Sequence, residues 1–180
     1  MHNPLLLSAL TILVNATHDL LTFERSAVAR KPEDELLPLL RKLNISFNAY
    51  SPVAGGFLTK SREQIESGAG RFKKGTFLGD MYLAMYGKPS FYEALDEWQD
   101  VASSEGCSRS ALAYRWVRFN SALQDGDGII IGASSVAQLT ETIDALNSGP
   151  LSASAAKRIE NIWAKIAQDA PTDNFSAMKG

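Results

Sequence analysis

Two short apolar runs, each opening into glycine and small residues, constrain the fold of this chain most. Ile45-Ser46-Phe47-Asn48-Ala49-Tyr50 alternates and is rich in β-formers, and Pro52 and the pair Gly55-Gly56 stop it. Gly128-Ile129-Ile130-Ile131-Gly132 is apolar without alternation, the pattern of a strand buried on both faces of a parallel sheet. It leads through Ala133-Ser134 to Ser135, which with Gln138 predicts a capping box at a helix start. Helical patterns lie before, between and after the two runs. A helix is predicted from Lys31 to Leu43, with Pro38 near its start and Asn44 as a left-handed cap. Another carries Phe91, Ala94, Leu95, Trp98 and Val101 on one face, and Ser108 caps the next through Val117. Helices through Leu139, Ile143 and Leu146, and over 152–168 with Ile159, Ile162, Trp163 and Ile166, complete the series. Residues 18–30 fit a short amphipathic helix, and the glycine-rich stretch 61–90 reads as a long excursion with at most short helices. This order is that of an α/β fold with a parallel sheet.

Composition narrows the function classes. The chain has 180 residues, 20 acidic and 18 basic, so no positive excess is available to neutralise a phosphate backbone, and nucleic acid is not an expected partner. One cysteine, Cys107, excludes an internal disulfide, and two histidines, His2 and His18, exclude the usual zinc sites. No run reaches the ~20 apolar residues of a membrane span. Leu5–Val14 has the look of a signal-peptide core, but no Lys or Arg precedes it and only Val14-Asn15-Ala16 offers a weak cleavage site. The triplets at Asn15, Asn44 and Asn174 are read as chance, and a cytoplasmic location is expected. Cys107 has only Arg109 near it in sequence and is not expected to act as a nucleophile.

Strand ends that pass into a glycine loop and a helix N-terminus can hold phosphate through backbone N–H groups, as the later strands of a (β/α)₈ barrel often do. The residues carrying these features resemble the C-terminal part of an aldo-keto reductase, most of all the aflatoxin-aldehyde reductase branch and its fungal relatives. The matching stretches are 35–41, 47–59, Gly70-Arg71-Phe72, 111–116 and 130–139. On this resemblance residues 1–30 stand apart, 31–170 form an incomplete half-barrel, and 171–180 are a tail.

The resemblance implies NADPH as cofactor and an aldehyde or ketone as substrate, in the setting of fungal secondary metabolism. Tyr50 matches the aromatic that stacks on the nicotinamide, and Ser51, Val53 and Gly55 match the loop along the pyrophosphate. Lys60 and Arg71 sit where the family places cations against the phosphates. Gly132, Ser134, Gln138 and Glu141 match the strand-to-helix element at the adenosine end. Two departures stand out: Thr59-Lys60-Ser61 replaces the family's Thr-Gly-Lys, and Thr142 replaces an Asn. Without the resemblance, Tyr50 reads equally as a core-edge aromatic, Arg71 as a solvated charge, and Ser134-Ser135 as a helix cap. Tyr114-Arg115-Trp116 is assigned to packing.

No catalytic residue is assigned, because the family's Tyr, Lys, Asp and His motifs have no counterpart here. The expectation is a shortened chain that grips cofactor without its own proton donor. A nucleotide-binding or homologue-pairing remnant, and a broken gene product, are the alternatives. Open sheet edges make self-association an expectation.

Overall fold

The computed structural model describes residues 20–171. His2, His18, the Leu5–Val14 run, Asn15 and Asn174 lie outside them. Three parallel strands, β1 (Leu20–Glu24), β2 (Ser46–Tyr50) and β3 (Gly128–Ile129), pair in the order β1-β2-β3. Leu20 lies opposite Ser46 and Glu24 opposite Tyr50, while Ala49 lies opposite Ile129. The helices are α1 (Leu36–Lys42), α2 (Arg62–Glu66), α3 (Phe77–Tyr86), α4 (Pro89–Ser104), α5 (Arg109–Arg115), α6 (Val136–Asn147) and α7 (Ala153–Ile166).

β2 shows why its sequence makes a central strand. Phe47 and Ala49 are fully buried and alternate with half-buried Ser46, Asn48 and Tyr50, the two-residue period of a pleated strand. α1 buries Leu36, Leu37 and Leu40, carries Pro38 in its first turn, and is followed by Asn44 at φ 54°. The core faces of α4 and α7 are those the 3.6-residue spacing predicts, and the two helices pack together.

Four expectations are corrected. Residues 20–24 form a strand and not a helix, because the leucines fill a sheet position beside β2 whose backbone groups need a partner. The strand at 128–132 shrinks to two half-buried residues, and Ile130 is 46% exposed, so it is not buried on both faces. Residues 31–33 form one 3₁₀ turn, and the regular helix begins only at Leu36. The stretch 61–90 contains a ten-residue helix, α3, with Gly79 in its first turn. Gly79 is not a breaker: a Cβ there would collide with the Lys73 carbonyl, so glycine is what lets the helix lie against the preceding loop.

An aromatic cluster ties α3 to the loop after β2. Phe57 stacks on Tyr86 at 5.1 Å and meets Phe91 edge-on at 5.9 Å, while Phe72 lies 5.7 Å from Tyr82. The Tyr86 hydroxyl donates to Glu24 Oε1 at 3.0 Å, both groups being buried. Burial, and then the Glu24 charge, push the Tyr86 phenol pKa well up. A second cluster is polar: buried Arg30 donates to both Glu160 oxygens at 2.7 and 2.8 Å and lies 4.2 Å from the Trp116 ring centre.

Candidate functional site

The strand ends open into one cleft of about 860 Å³, and its lining includes Tyr50, Ser51, Val53, Gly55, Lys60, Arg71, Gly132, Ser134, Gln138 and Glu141. All ten residues singled out in the sequence therefore come together. Tyr82, Ser110, Tyr114 and Thr142 also line it.

The loop after β2 is built on left-handed backbone. Ser51, Ala54, Gly55 and Gly56 have φ of 59°, 51°, 65° and 99°. Ser51 and Ala54 bear the cost of this conformation, and their turn is held by hydrogen bonds. The Ser51 hydroxyl accepts from Gly55 N–H at 2.9 Å, and Ala54 N–H donates to the Ser51 carbonyl at 2.8 Å. Thr59 closes the turn by donating to the Gly56 carbonyl at 2.8 Å. Gly55 cannot carry a side chain, because a Cβ would run into the Tyr82 ring.

Two cations flank this loop. Arg71 Nη1 donates to the Tyr82 hydroxyl at 3.3 Å. Lys60 is half-buried, and burial, then the neighbouring Arg71 charge, lower its pKa below the ordinary lysine value. Among the described residues neither cation is paired with a carboxylate. Lys60 reaches the cleft despite the shifted Thr59-Lys60-Ser61 order.

The opposite wall runs from Ile130 into α6. Ser135 accepts from Gln138 N–H at 3.2 Å, which makes half of the predicted capping box. The Gln138 side chain does not return to Ser135: it accepts from Ser134 N–H and from the Ser134 hydroxyl, each at 2.9 Å. Glu141 is held by the Ser108 hydroxyl. Thr142 is buried and hydrogen-bonds Tyr114, whose hydroxyl also meets the Gly132 backbone. Tyr114 is thus a wall of the cleft as well as a core residue, which corrects its assignment to packing alone. Burial raises the Tyr114 phenol pKa, and those two hydrogen bonds offset part of the rise. The Arg115-Trp116 part of that assignment holds: Trp116 is buried beneath Arg30, and Arg115 bridges Glu105 and the Gly149 and Pro150 carbonyls.

Sequence reasoning missed Tyr82 because it lies in the glycine-interrupted stretch, where no helix was expected to aim it. Its one legible signal was its spacing from Tyr86, four residues on along a helix face. Cys107 is half-buried, and burial, only partly offset by Arg115, raises its thiol pKa, so it has no nucleophile's surroundings. Among the described residues no cluster of His, Cys, Asp and Glu could hold a metal, and no helix is long and apolar enough to cross a membrane.

The sequence model of the Aldo/keto reductase family matches residues 14–164. Oxidoreductase sirO of Leptosphaeria maculans is 38% identical over 146 residues, covering 80% of this chain and 44% of that protein. Aflatoxin B1 aldehyde reductase member 2 of Rattus norvegicus is 31% identical over 156 residues, covering 81% of this chain and 42% of that one. Among solved structures, aldo-keto reductase AKR11C1 of Bacillus halodurans superposes with a TM-score of 0.55 at 20% identity, over 86% of this chain and 47% of that one. The chain spans about half the length of the curated relatives it matches. The fold is accordingly α/β, a part of a (β/α)₈ barrel.

Proposed function

Because the chain belongs to the aldo/keto reductase family, we propose that its cleft holds NADPH for the reduction of an aldehyde or ketone to an alcohol, in the setting of fungal secondary metabolism. The observation that carries this reading is a pair of cations, Lys60 and Arg71, without a carboxylate partner among the described residues and set beside a left-handed glycine loop at the strand ends. A phosphate needs such charge-assisted donors, and a loop without side chains lets it approach the backbone. The residues fit the group in a second way. Gly56 presents no Cβ beside Lys60 Nζ, and beyond Gly132 the space is open.

In this reading Lys60 and Arg71 bind the phosphates and Ser134 and Gln138 orient the adenosine end. Tyr50, at the end of β2, offers the flat surface for the nicotinamide. When bound, the reduced nicotinamide supplies the hydride. Hydride transfer builds negative charge on the carbonyl oxygen, which a proton donor must meet. The Tyr114 hydroxyl is engaged by Gly132 and Thr142, while that of Tyr82 accepts from Arg71 and keeps its own proton. Because the family's Tyr, Lys, Asp and His motifs have no counterpart in this sequence, the reading assigns this chain cofactor binding and leaves the acid to another part of a barrel.

Titration of NADPH and NADH by fluorescence or calorimetry is the test. NADPH should bind at least tenfold more tightly, and Arg71→Ala should weaken it. Equal affinities, or unchanged binding by Arg71→Ala, would overturn the assignment.

A further inference from the structure

We infer that Tyr82 is a positioning residue that aims Arg71 into the cleft and thereby sets the preference for a 2′-phosphorylated nucleotide; this rests on the cofactor reading above. Arg71 follows Gly70 in a one-turn 3₁₀ segment, and its long side chain is exposed. Without a fixed partner such a guanidinium samples many rotamers, and ordering it on binding costs affinity. Its contact with the Tyr82 hydroxyl, at 3.3 Å, supplies that partner.

Tyr82 is itself fixed. It is 5% exposed, its ring centre lies 5.7 Å from Phe72 and 6.3 Å from Tyr86, and Tyr86 is anchored to Glu24. On its remaining side the ring occupies the space that a side chain at Gly55 would need. The hydroxyl therefore stands at a defined place between the glycine loop and Arg71. The chemistry of the partner matters as much as its position. A carboxylate there would neutralise the guanidinium, whereas a phenol only accepts one N–H. The full charge and four of the five N–H donors remain for a phosphate dianion. This gives the folded part of the 61–90 stretch a role, since α3 brings Tyr82 to the arginine eleven residues before it.

The experiment measures 2′,5′-ADP and 5′-AMP, which differ by the 2′-phosphate, against wild type, Tyr82→Phe, Arg71→Ala and the double variant by calorimetry. Tyr82→Phe keeps the ring and loses only the hydroxyl. It should weaken 2′,5′-ADP about five- to tenfold and 5′-AMP less than about twofold. In the Arg71→Ala background it should change nothing further, since the two residues act as one unit. Tyr82→Phe that binds 2′,5′-ADP as wild type does, that weakens both nucleotides equally, or that keeps its full effect without Arg71 would overturn the inference and leave the cofactor reading standing. A wild-type chain that does not distinguish the two nucleotides would overturn that reading and the inference together.

Discussion

Removing the Asp127 carboxylate should unravel the junction from which one wall of the cleft hangs. Asp127 precedes β3, and its side chain is 2% exposed. It accepts from Arg41 of α1 at 2.9 Å, from Phe47 N–H of β2 at 2.9 Å and from Gln124 N–H at 2.8 Å. One side chain thus fastens a helix, the central strand and its own turn. Asp127→Ala strands the part-buried Phe47 N–H, gives the exposed Gln124 N–H over to water, and leaves Arg41, still one-quarter exposed, without its counter-ion. A buried unsatisfied donor costs about 1–3 kcal/mol, and breaking a fully buried ion pair about 3–5 kcal/mol. With Arg41 partly hydrated, a loss of about 3 kcal/mol is expected, and about half of that for Asp127→Asn, which retains an acceptor. The assay is urea unfolding followed by tryptophan fluorescence. Burial pushes the Asp127 pKa up, but Arg41 and the two backbone donors outweigh it and hold it below the ordinary aspartate value. A lowered carboxylate pKa contributes stability that is complete above the unfolded value of about 3.9 and is lost as pH falls through the folded value. The gap between wild type and Asp127→Ala should therefore be full at pH 7 and narrow below about pH 4. A loss under about 1 kcal/mol at pH 7 would refute the reasoning, since three such contacts cannot be worth so little. So would a gap that does not change with acid.

The lowered Lys60 pKa makes phosphate binding proton-linked: a bound anion should raise it again, so calorimetry near pH 9 in buffers of different ionisation enthalpy should show proton uptake that Lys60→Met abolishes, and a buffer-independent enthalpy would contradict this. The 180-residue chain should consume NADPH with nitrobenzaldehyde or phenanthrenequinone at the background rate, followed by absorbance, and robust turnover that vanishes on mutating one tyrosine would show that it has its own acid. Because β1 and β3 are the outer strands among the described residues, and Val136, Leu139 and Ile143 are exposed along α6, light scattering should find a dimer or larger assembly; a monomer with a sharp cooperative melt would contradict it.

The elements legible in the sequence were those whose own residues carry the pattern. α4 and α7 repeat apolar residues at helical spacing, and β2 alternates; in each case local periodicity and tertiary burial agree. Where the reason for a conformation is a distant partner, the pattern misleads. Leu20, Leu21 and Phe23 suit a helix face as well as a strand, and only pairing with β2 selects the strand. Gly79 looks like a breaker until the Lys73 carbonyl lies against it. The candidate site divides the same way. Tyr50, the glycine loop, Lys60, Arg71 and the Gly132–Glu141 element were found because they follow strands or match a family pattern. Tyr82 and Tyr114 were not, because each reaches the cleft across a helix packing that periodicity does not specify. Asp127 stands in the turn-forming stretch Asp125-Gly126-Asp127-Gly128, and nothing local says that its carboxylate crosses to α1 and β2.

Whether Lys60 and Arg71 hold phosphate is tested most directly by phosphorus NMR of NADPH bound to the chain. Cations beside a phosphate stabilise its dianion and lower its second pKa, which starts near ~6. The pyrophosphate and 2′-phosphate resonances should both move on binding, the 2′-phosphate should titrate at lower pH in the complex than free, and Arg71→Ala should return it toward the free value. A 2′-phosphate that keeps its free shift and titration in a saturated complex would contradict the assignment of these two cations.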